Sequence, residues 1–223
     1  MTKHHPTKAA TEPRQDYLPA AGRDALLPLY DLLTTALGVS KVHRRLIGQA
    51  GLATGQQVLE IGCGTGNLSL RAKRACPGVD LIGSDPDPRA LARAQRKARD
   101  LKGIRFERGY AQHLPYPDAT FDRVLSALML HHLDDDTKVA AAAEVLRVLR
   151  PGASLHLADI AGEMPGIHGL LARRVVHSGH LAGQLGDGIP QLLNAAGLDC
   201  TEVASHRHPV MGQLTYYRAN RPA

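Results

Sequence analysis

Apolar residues recur at helical spacing through the first fifty positions, then short unbroken apolar runs alternate with helical ones as far as residue 160. Residues 22–37 carry Leu26, Leu29, Leu33 and Leu37, and a helix after Gly38 turns Val42, Leu46 and Ile47 inward. Gly51 and Gly55 break the chain before a strand at 57–61. The next helix packs through Leu68, Ala72 and Ala75 and stops at Pro77-Gly78. A strand at 79–83 follows, then a helix capped by Asp87 with Pro88 in its first turn and Ala90, Leu91, Ala94, Ala98 and Leu101 inward. Strands at 104–108 and 121–126 precede a helix at 134–149, whose inner face is read as Val139, Ala142, Leu146 and Leu149. Pro151-Gly152 turns into a strand at 154–160. This rhythm predicts right-handed βαβ crossovers and a Rossmann-like, doubly wound α/β sheet, mostly parallel.

The period breaks after Asp159. Residues 161–188 are glycine-punctuated, helical in places (170–176 and 180–185), and suit a lid insertion. A helix at 189–196 leads to strand-like runs at 198–207 and 213–219, an antiparallel pair closing the sheet. Residues 1–14 are polar and proline-punctuated, so they read as a flexible tail before a single domain over 15–223, with N-terminal helices in 15–51.

Composition narrows the partners. At 223 residues and 43% hydrophobic, the chain can bury a full core. No apolar run approaches the roughly 18–20 residues of a membrane span, though contact with a membrane surface stays open. The N-terminus lacks the apolar core of a secretory signal. Cys63, Cys76 and Cys200 have neither metal-ligand spacing nor an even count, which points to a reducing, cytoplasmic setting. The net charge of +6 is concentrated on one helix, at Arg89, Arg93, Arg96, Lys97, Arg99 and Lys102, where a solvated face accounts for it. Aromatic residues at 4% offer few platforms for stacking bases, so nucleic acid is not the expected partner. His156, His168, His177 and His180 have no Cys or carboxylate at ligand spacing; they are expected to face a lid cavity or solvent, with no metal centre.

The chemistry concentrates where the first strand ends. Glu60 is followed by Gly62, Gly64 and Gly66 at alternate positions, and a helix starts at Asn67. Glycines in a strand-to-helix turn let the backbone approach a ligand closely. A nicotinamide dinucleotide fingerprint would place its third glycine one position later, at Asn67, so the turn suits a nucleoside better than a pyrophosphate. Asp85, with Pro86 beside it, ends the second strand, where a carboxylate can accept from both ribose hydroxyls; capping the next helix is the alternative, but Asp87 is better placed for that. Glu60 either orients the glycine turn and touches the amino end of the ligand or satisfies backbone donors in the turn. Cys63 contributes backbone rather than a thiol.

The run Glu60 to Gly66 has the E-x-G-x-G-x-G form of the first motif of class I S-adenosylmethionine (SAM) methyltransferases, and the resemblance extends over about residues 15–221. Phe121-Asp122-Arg123-Val124 resembles that family's F-D-x-V strand, and Leu146 to Ala153 its following segment. Pro28-Leu29-Tyr30-Asp31 and Gly212 to Ala219 resemble the type 11, ubiquinone/menaquinone methyltransferase-like group. The resemblance implies SAM as cofactor, S-adenosylhomocysteine as product, and a helix around Tyr30 covering the cofactor. Residues 108–116 resemble the family's adenine segment G-D-A-x-x-L-P-F, with Tyr110 where many members have Asp; Tyr110, the Ala111 N–H and Gln112 are then the adenine contacts. Ser126 and Ala127, with Leu128, would face the reactive methyl. In His131-His132-Leu133, His131 is the candidate general base, against a structural histidine holding the loop.

Methyl transfer from a sulfonium expels a neutral thioether and demands alignment and water exclusion rather than an oxyanion hole, in keeping with the lack of an obligatory nucleophile set. The implied acceptor is a small or lipophilic molecule held between the N-terminal helices and 161–188. Leu170, Leu171, Val175, Val176, Leu181 and Leu185 either line an apolar cleft beside Arg173 and Arg174 or form the core face of a lid helix. Two other function classes predict other observations. A non-catalytic SAM-binding sensor or complex subunit would bind the cofactor without transfer, and a nicotinamide oxidoreductase would bind NADH.

Overall fold

In the computed structural model, the described residues are 38–161, 185–209 and 211–223, with the side chains of 161 and 185–187 left aside. The expected tail, the 22–37 helix, Tyr30 and most of the expected lid, including His168, His177, His180, Arg173 and Arg174, lie outside them.

Alternating apolar runs and amphipathic segments give α1 (Val39–Ala50), β1 (Gln57–Ile61), α2 (Asn67–Ala75), β2 (Asp80–Asp85), α3 (Pro88–Ala98), β3 (Ile104–Arg108) and β4 (Phe121–Ala127). A short 3-10 turn (Leu130–His132) leads to α4 (Asp135–Val148), β5 (Leu149–Ala161), α5 (Leu185–Ala195), β6 (Asp199–His208) and β7 (Gly212–Asn220). Boundaries follow local chemistry. Asp87 caps α3 by accepting from the Arg89 and Ala90 amides, with Pro88 behind it, and Asp134 caps α4 through the Thr137 amide.

The strands form a seven-stranded sheet in the order β3-β2-β1-β4-β5-β7-β6. Pairing is parallel from β3 to β5, while β7 runs antiparallel to both neighbours. The antiparallel pair expected from 198–219 is present, with the last strand inside the sheet and β6 at its edge. One face of the sheet packs against α4 and α5 through Val145, Val148, Ile189 and Leu193. The other carries α1 and α2 through Val42, Leu46, Leu68 and Ala72, and α3 closes over Phe106 through Leu91 and Ala94. The strand order reverses between β1 and β4, which stay parallel, so a crevice opens at their carboxyl ends, where open α/β sheets bind ligands.

Several expectations need correction. The inner face of α4 is Ala141, Ala142, Val145 and Val148; Val139 is 59% exposed, and Leu149 begins β5. Ala75 is exposed, and Lys73 is buried in its place, its ammonium donating to the Pro77 and Val79 carbonyls. The 161–188 segment shares its ends with regular elements, Ala161 finishing β5 and Leu185 opening α5. His156 faces neither lid cavity nor solvent. It is 2% exposed on β5, hydrogen-bonded to Ser154 and to Gln49 of α1, and burial lowers its pKa to about 3, leaving it neutral.

Candidate functional site

The turn after β1 is built by three left-handed glycines, with φ of 72° at Gly62, 49° at Gly64 and 76° at Gly66. Its amides are largely committed. Gly62 and Cys63 both donate to the Ser84 carbonyl of β2, Gly66 donates to the Cys63 carbonyl, and Gly64 donates to Asp85 Oδ2 at 2.7 Å. A phosphate cradle needs several amides open to the ligand. Here four are bound inside the fold, which fits the sequence argument against a pyrophosphate.

Asp85 holds the turn and the next helix together. Besides Gly64, its Oδ1 accepts from the Asp87 amide at 2.9 Å. A carboxylate offers about four acceptor sites, so roughly half of its capacity is left for a ligand at the crevice. Burial pushes its pKa up, against the two amide bonds. Pro86 lies beside it and accepts from Arg108 Nε. Asp87, not Asp85, caps α3, as expected.

Glu60 is 3% exposed and accepts from the Ser69 hydroxyl in the first turn of α2. Burial raises its pKa to about 8, opposed by the Ser69 hydrogen bonds. The native state therefore keeps a proton that the unfolded chain releases above 4.5. Stability is fully present below that value and falls as pH rises towards about 8. Glu60→Gln, which can still accept from Ser69, is expected to flatten this part of the stability curve in urea titrations at several pH values. An unchanged slope would show that Glu60 ionises normally in the native state. Lys97 of α3 reaches back to Thr65 Oγ1 at 3.1 Å and Asn67 Oδ1 at 2.8 Å, tying the turn from its outer side.

Across the switch point, β4 delivers Ser126, whose hydroxyl donates to the Ile61 carbonyl at the end of β1. Ala127 ends the strand, and Leu128 follows at φ 56°, a left-handed conformation costly for a branched side chain. That kink places Met129 against Gly62: a Cβ on Gly62 would lie 2.3 Å from Met129 Cγ. The β4 loop and the glycine turn are thus in direct contact.

The segment after β3 is held from α4. Leu114 N donates to Glu144, and Arg147 donates to the Leu114 and Tyr116 carbonyls and to Asp118. This clamp fixes half-buried Ala111 and Gln112, while the Tyr110 hydroxyl is engaged by Arg108 at 3.1 Å. Ala111, Ser126, Met129 and Leu130 line one small apolar cavity with Leu155 and Leu157.

His131 is anchored by a residue that the sequence did not single out. Its Nδ1 lies 2.6 Å from Asp159 Oδ1, and Asp159 is fully buried at the end of β5. The structure therefore brings together Glu60, Gly62, Cys63, Gly64, Gly66, Asp85, Pro86, Ser126, Ala127 and His131 around the carboxyl ends of β1, β2 and β4, with Ala111 and Ser126 sharing the cavity. The supporting groups missed from sequence are Ser69, Lys97, Met129, Glu144, Arg147 and Asp159.

Comparison with known proteins follows the same lines. A family model described as a methyltransferase domain matches residues 58–152. A demethylmenaquinone methyltransferase of Deinococcus radiodurans is 38% identical over 153 residues, 67% of this chain and 63% of that protein. The chain thus spans somewhat under two thirds of that relative's length. A demethylmenaquinone methyltransferase of Thermus thermophilus is 35% identical over 66% of this chain and 68% of its own length. Among solved structures, phosphoethanolamine N-methyltransferase 2 of Haemonchus contortus, in complex with phosphomonomethylethanolamine and S-adenosylhomocysteine, superposes with a TM-score of 0.68. It is 16% identical over 82% of this chain and 53% of that one, a likeness of fold.

Proposed function

The chain belongs to the class I SAM-dependent methyltransferases of the ubiquinone/menaquinone type, and from that premise we propose that it transfers the SAM methyl group to a small, lipophilic quinol-type acceptor. The observation that carries this reading is the meeting of the glycine turn, Asp85 and the β4 loop at one switch point. The residues suit SAM: a committed glycine turn leaves room without a phosphate cradle, and Asp85 retains acceptor capacity for ribose hydroxyls. Glu60 and the backbone of Gly62, Cys63, Gly64 and Gly66 would flank the amino-acid end. Ala111 and Gln112 would meet the adenine edge, with Tyr110 held by Arg108 at the rim. Ser126 and Ala127 would border the methyl group, and Tyr30 would cover the cofactor. SAM supplies the electrophilic methyl; the chain's residues align the acceptor, exclude water and, at His131, take a proton.

The lipophilic acceptor follows from the two named relatives, which are demethylmenaquinone methyltransferases. Among the described residues no helix is long and apolar enough to cross a membrane. The test is incubation with SAM and a short-chain 2-prenyl-1,4-naphthoquinol under anaerobic conditions, with the product mass read in the organic extract. A ring-methylated product is expected. Unmodified quinol beside a methylated hydroxyl or amine acceptor from a parallel panel would overturn the quinol reading.

A further inference from the structure

Asp159 is buried without exposure on β5, and among the described residues its hydrogen-bond partners come from the loop after β4 and from β5 itself. Oδ2 accepts from the Leu130 amide at 2.8 Å; Oδ1 accepts from the Ile160 amide at 2.7 Å and meets His131 Nδ1 at 2.6 Å. A carboxylate only accepts, so in the contact with Asp159 it is Nδ1 of His131 that carries the hydrogen. The basic lone pair of His131 is then on Nε2.

The placement of the ring matters as much as its tautomer. Asp159 follows Ala158, which pairs with Ala127 at the end of β4, and His131 lies two residues beyond Met129, the side chain packed over Gly62. His131 keeps 23% of its side-chain surface exposed while its Asp159 partner has none, so the pair opens in one direction. Among the described residues, the His132 ring also lies against His131, with ring centroids 3.9 Å apart. Partial burial and the neighbouring His131 both pull the His132 pKa down, a pull that solvent screens because the His132 side chain is exposed. A histidine serving only to hold its loop would need no carboxylate of its own, because the Leu130 amide on Asp159 and the Leu128 amide on the Ala158 carbonyl already tie the β4 loop to β5.

We propose that Asp159 is a positioning residue that locks His131 with Nε2 towards the acceptor, and that the pair suits acceptors that must lose an O–H proton to become nucleophilic. This rests on the methyltransferase reading above and narrows its acceptor. Nε2 takes the hydroxyl proton as the oxygen, or the ring carbon to which it donates electrons, bonds to the methyl carbon. The carbon–sulfur bond breaks with its electron pair on sulfur, giving neutral S-adenosylhomocysteine, and the imidazolium is balanced by Asp159. Where a ring carbon is methylated, the hydrogen on that carbon then leaves as a proton while the oxygen regains one, which restores the aromatic quinol, and one proton in all is released to solvent. No oxidant or reductant enters. An amine already carrying a free lone pair would gain little from such a pair.

The test uses the full chain with SAM and two probes, the prenylated naphthoquinol and a simple catechol, plus a nitrocatechol that is ionised at assay pH. Asp159→Asn is expected to leave SAM affinity unchanged by calorimetry and to lower kcat on the naphthoquinol or catechol about a hundredfold, within the range of general-base contributions. Its rate should climb with pH as the acceptor ionises in solution, and its defect should shrink to a few-fold on nitrocatechol. Should Asp159→Asn melt early, His131→Gln, which keeps Asp159 and its backbone bonds, is expected to give the same pattern. An equal loss on ionised and un-ionised acceptors, or an unchanged rate and pH profile, would overturn the pair. Transfer to catechol but not to the quinol would overturn the quinol reading and uphold the pair; transfer to amine or thiol acceptors alone would overturn the pair.

Discussion

Gly66→Val is expected to destabilise the fold by about 2–5 kcal/mol. Forcing a branched residue into the left-handed region costs on the order of 1–2 kcal/mol, and overpacking a filled core adds about 1–3 kcal/mol. Both apply at Gly66, where φ is 76° and a Cβ would lie 2.8 Å from the Phe106 ring and 2.9 Å from Ala94 Cβ. Those neighbours belong to β3 and α3, so the clash would push the whole second crossover off the glycine turn. Gly64→Ala separates the two costs: φ is 49°, and nothing stands within 4 Å of the added Cβ. It should show only the backbone penalty of about 1 kcal/mol. Urea denaturation of both variants decides the matter. A loss at Gly66 no larger than at Gly64 would mean that the turn tolerates a side chain and that the close approach of α3 is not what fixes it.

Much of this architecture is written locally. β1 and β3 have the bounds that their apolar runs predict, because a strand between glycines or turns has no room to slip. The Asp87-Pro88 start of α3 was legible for the same reason, as cap chemistry acts within three residues. The inner face of α4 was not. Residues 140–143 are four consecutive alanines, so hydrophobicity alone gives no contrast across a turn of helix, and the exposed Val139 was read as core. Ala75 failed similarly, because one apolar residue near a helix end weighs little against the buried stem of Lys73. The C-terminal pair was predicted, but which strand lies inside the sheet depends on pairing with β5, a long-range choice that no local pattern records.

The site divides along the same line. Its proposed cofactor half lies close together in sequence, where Glu60, the three glycines and Asp85 stand out by their spacing. Its acceptor half rests on contacts between distant elements. Asp159 meets His131 across 28 positions, and Arg147 reaches Leu114 across 33. Those pairs need the fold before they exist.

The second large effect concerns Asp85. Each hydrogen bond from a ribose hydroxyl to a carboxylate contributes about 1.5–3 kcal/mol, and about 1.4 kcal/mol is tenfold in affinity. Losing one such bond is therefore enough for a tenfold weakening, and losing two for more. Asp85 also receives the Gly64 and Asp87 amides, so Asp85→Ala removes the Gly64 tie as well, while Gly62 and Cys63 keep their bonds to the Ser84 carbonyl of β2. Asp85→Asn keeps the size and one carbonyl acceptor, and should fall between the alanine variant and the native chain. Thermal melting of both variants without ligand separates loss of the turn from loss of the ribose contact. Because the glycine turn, Asp85 and the β4 loop are the proposed SAM pocket, calorimetric titration of SAM into the native chain and into Asp85→Ala tests the account most directly. The account predicts saturable binding to the native chain and at least tenfold weaker binding to a variant that still melts cooperatively. Unchanged affinity in Asp85→Ala, or no SAM binding to the native chain, would contradict it.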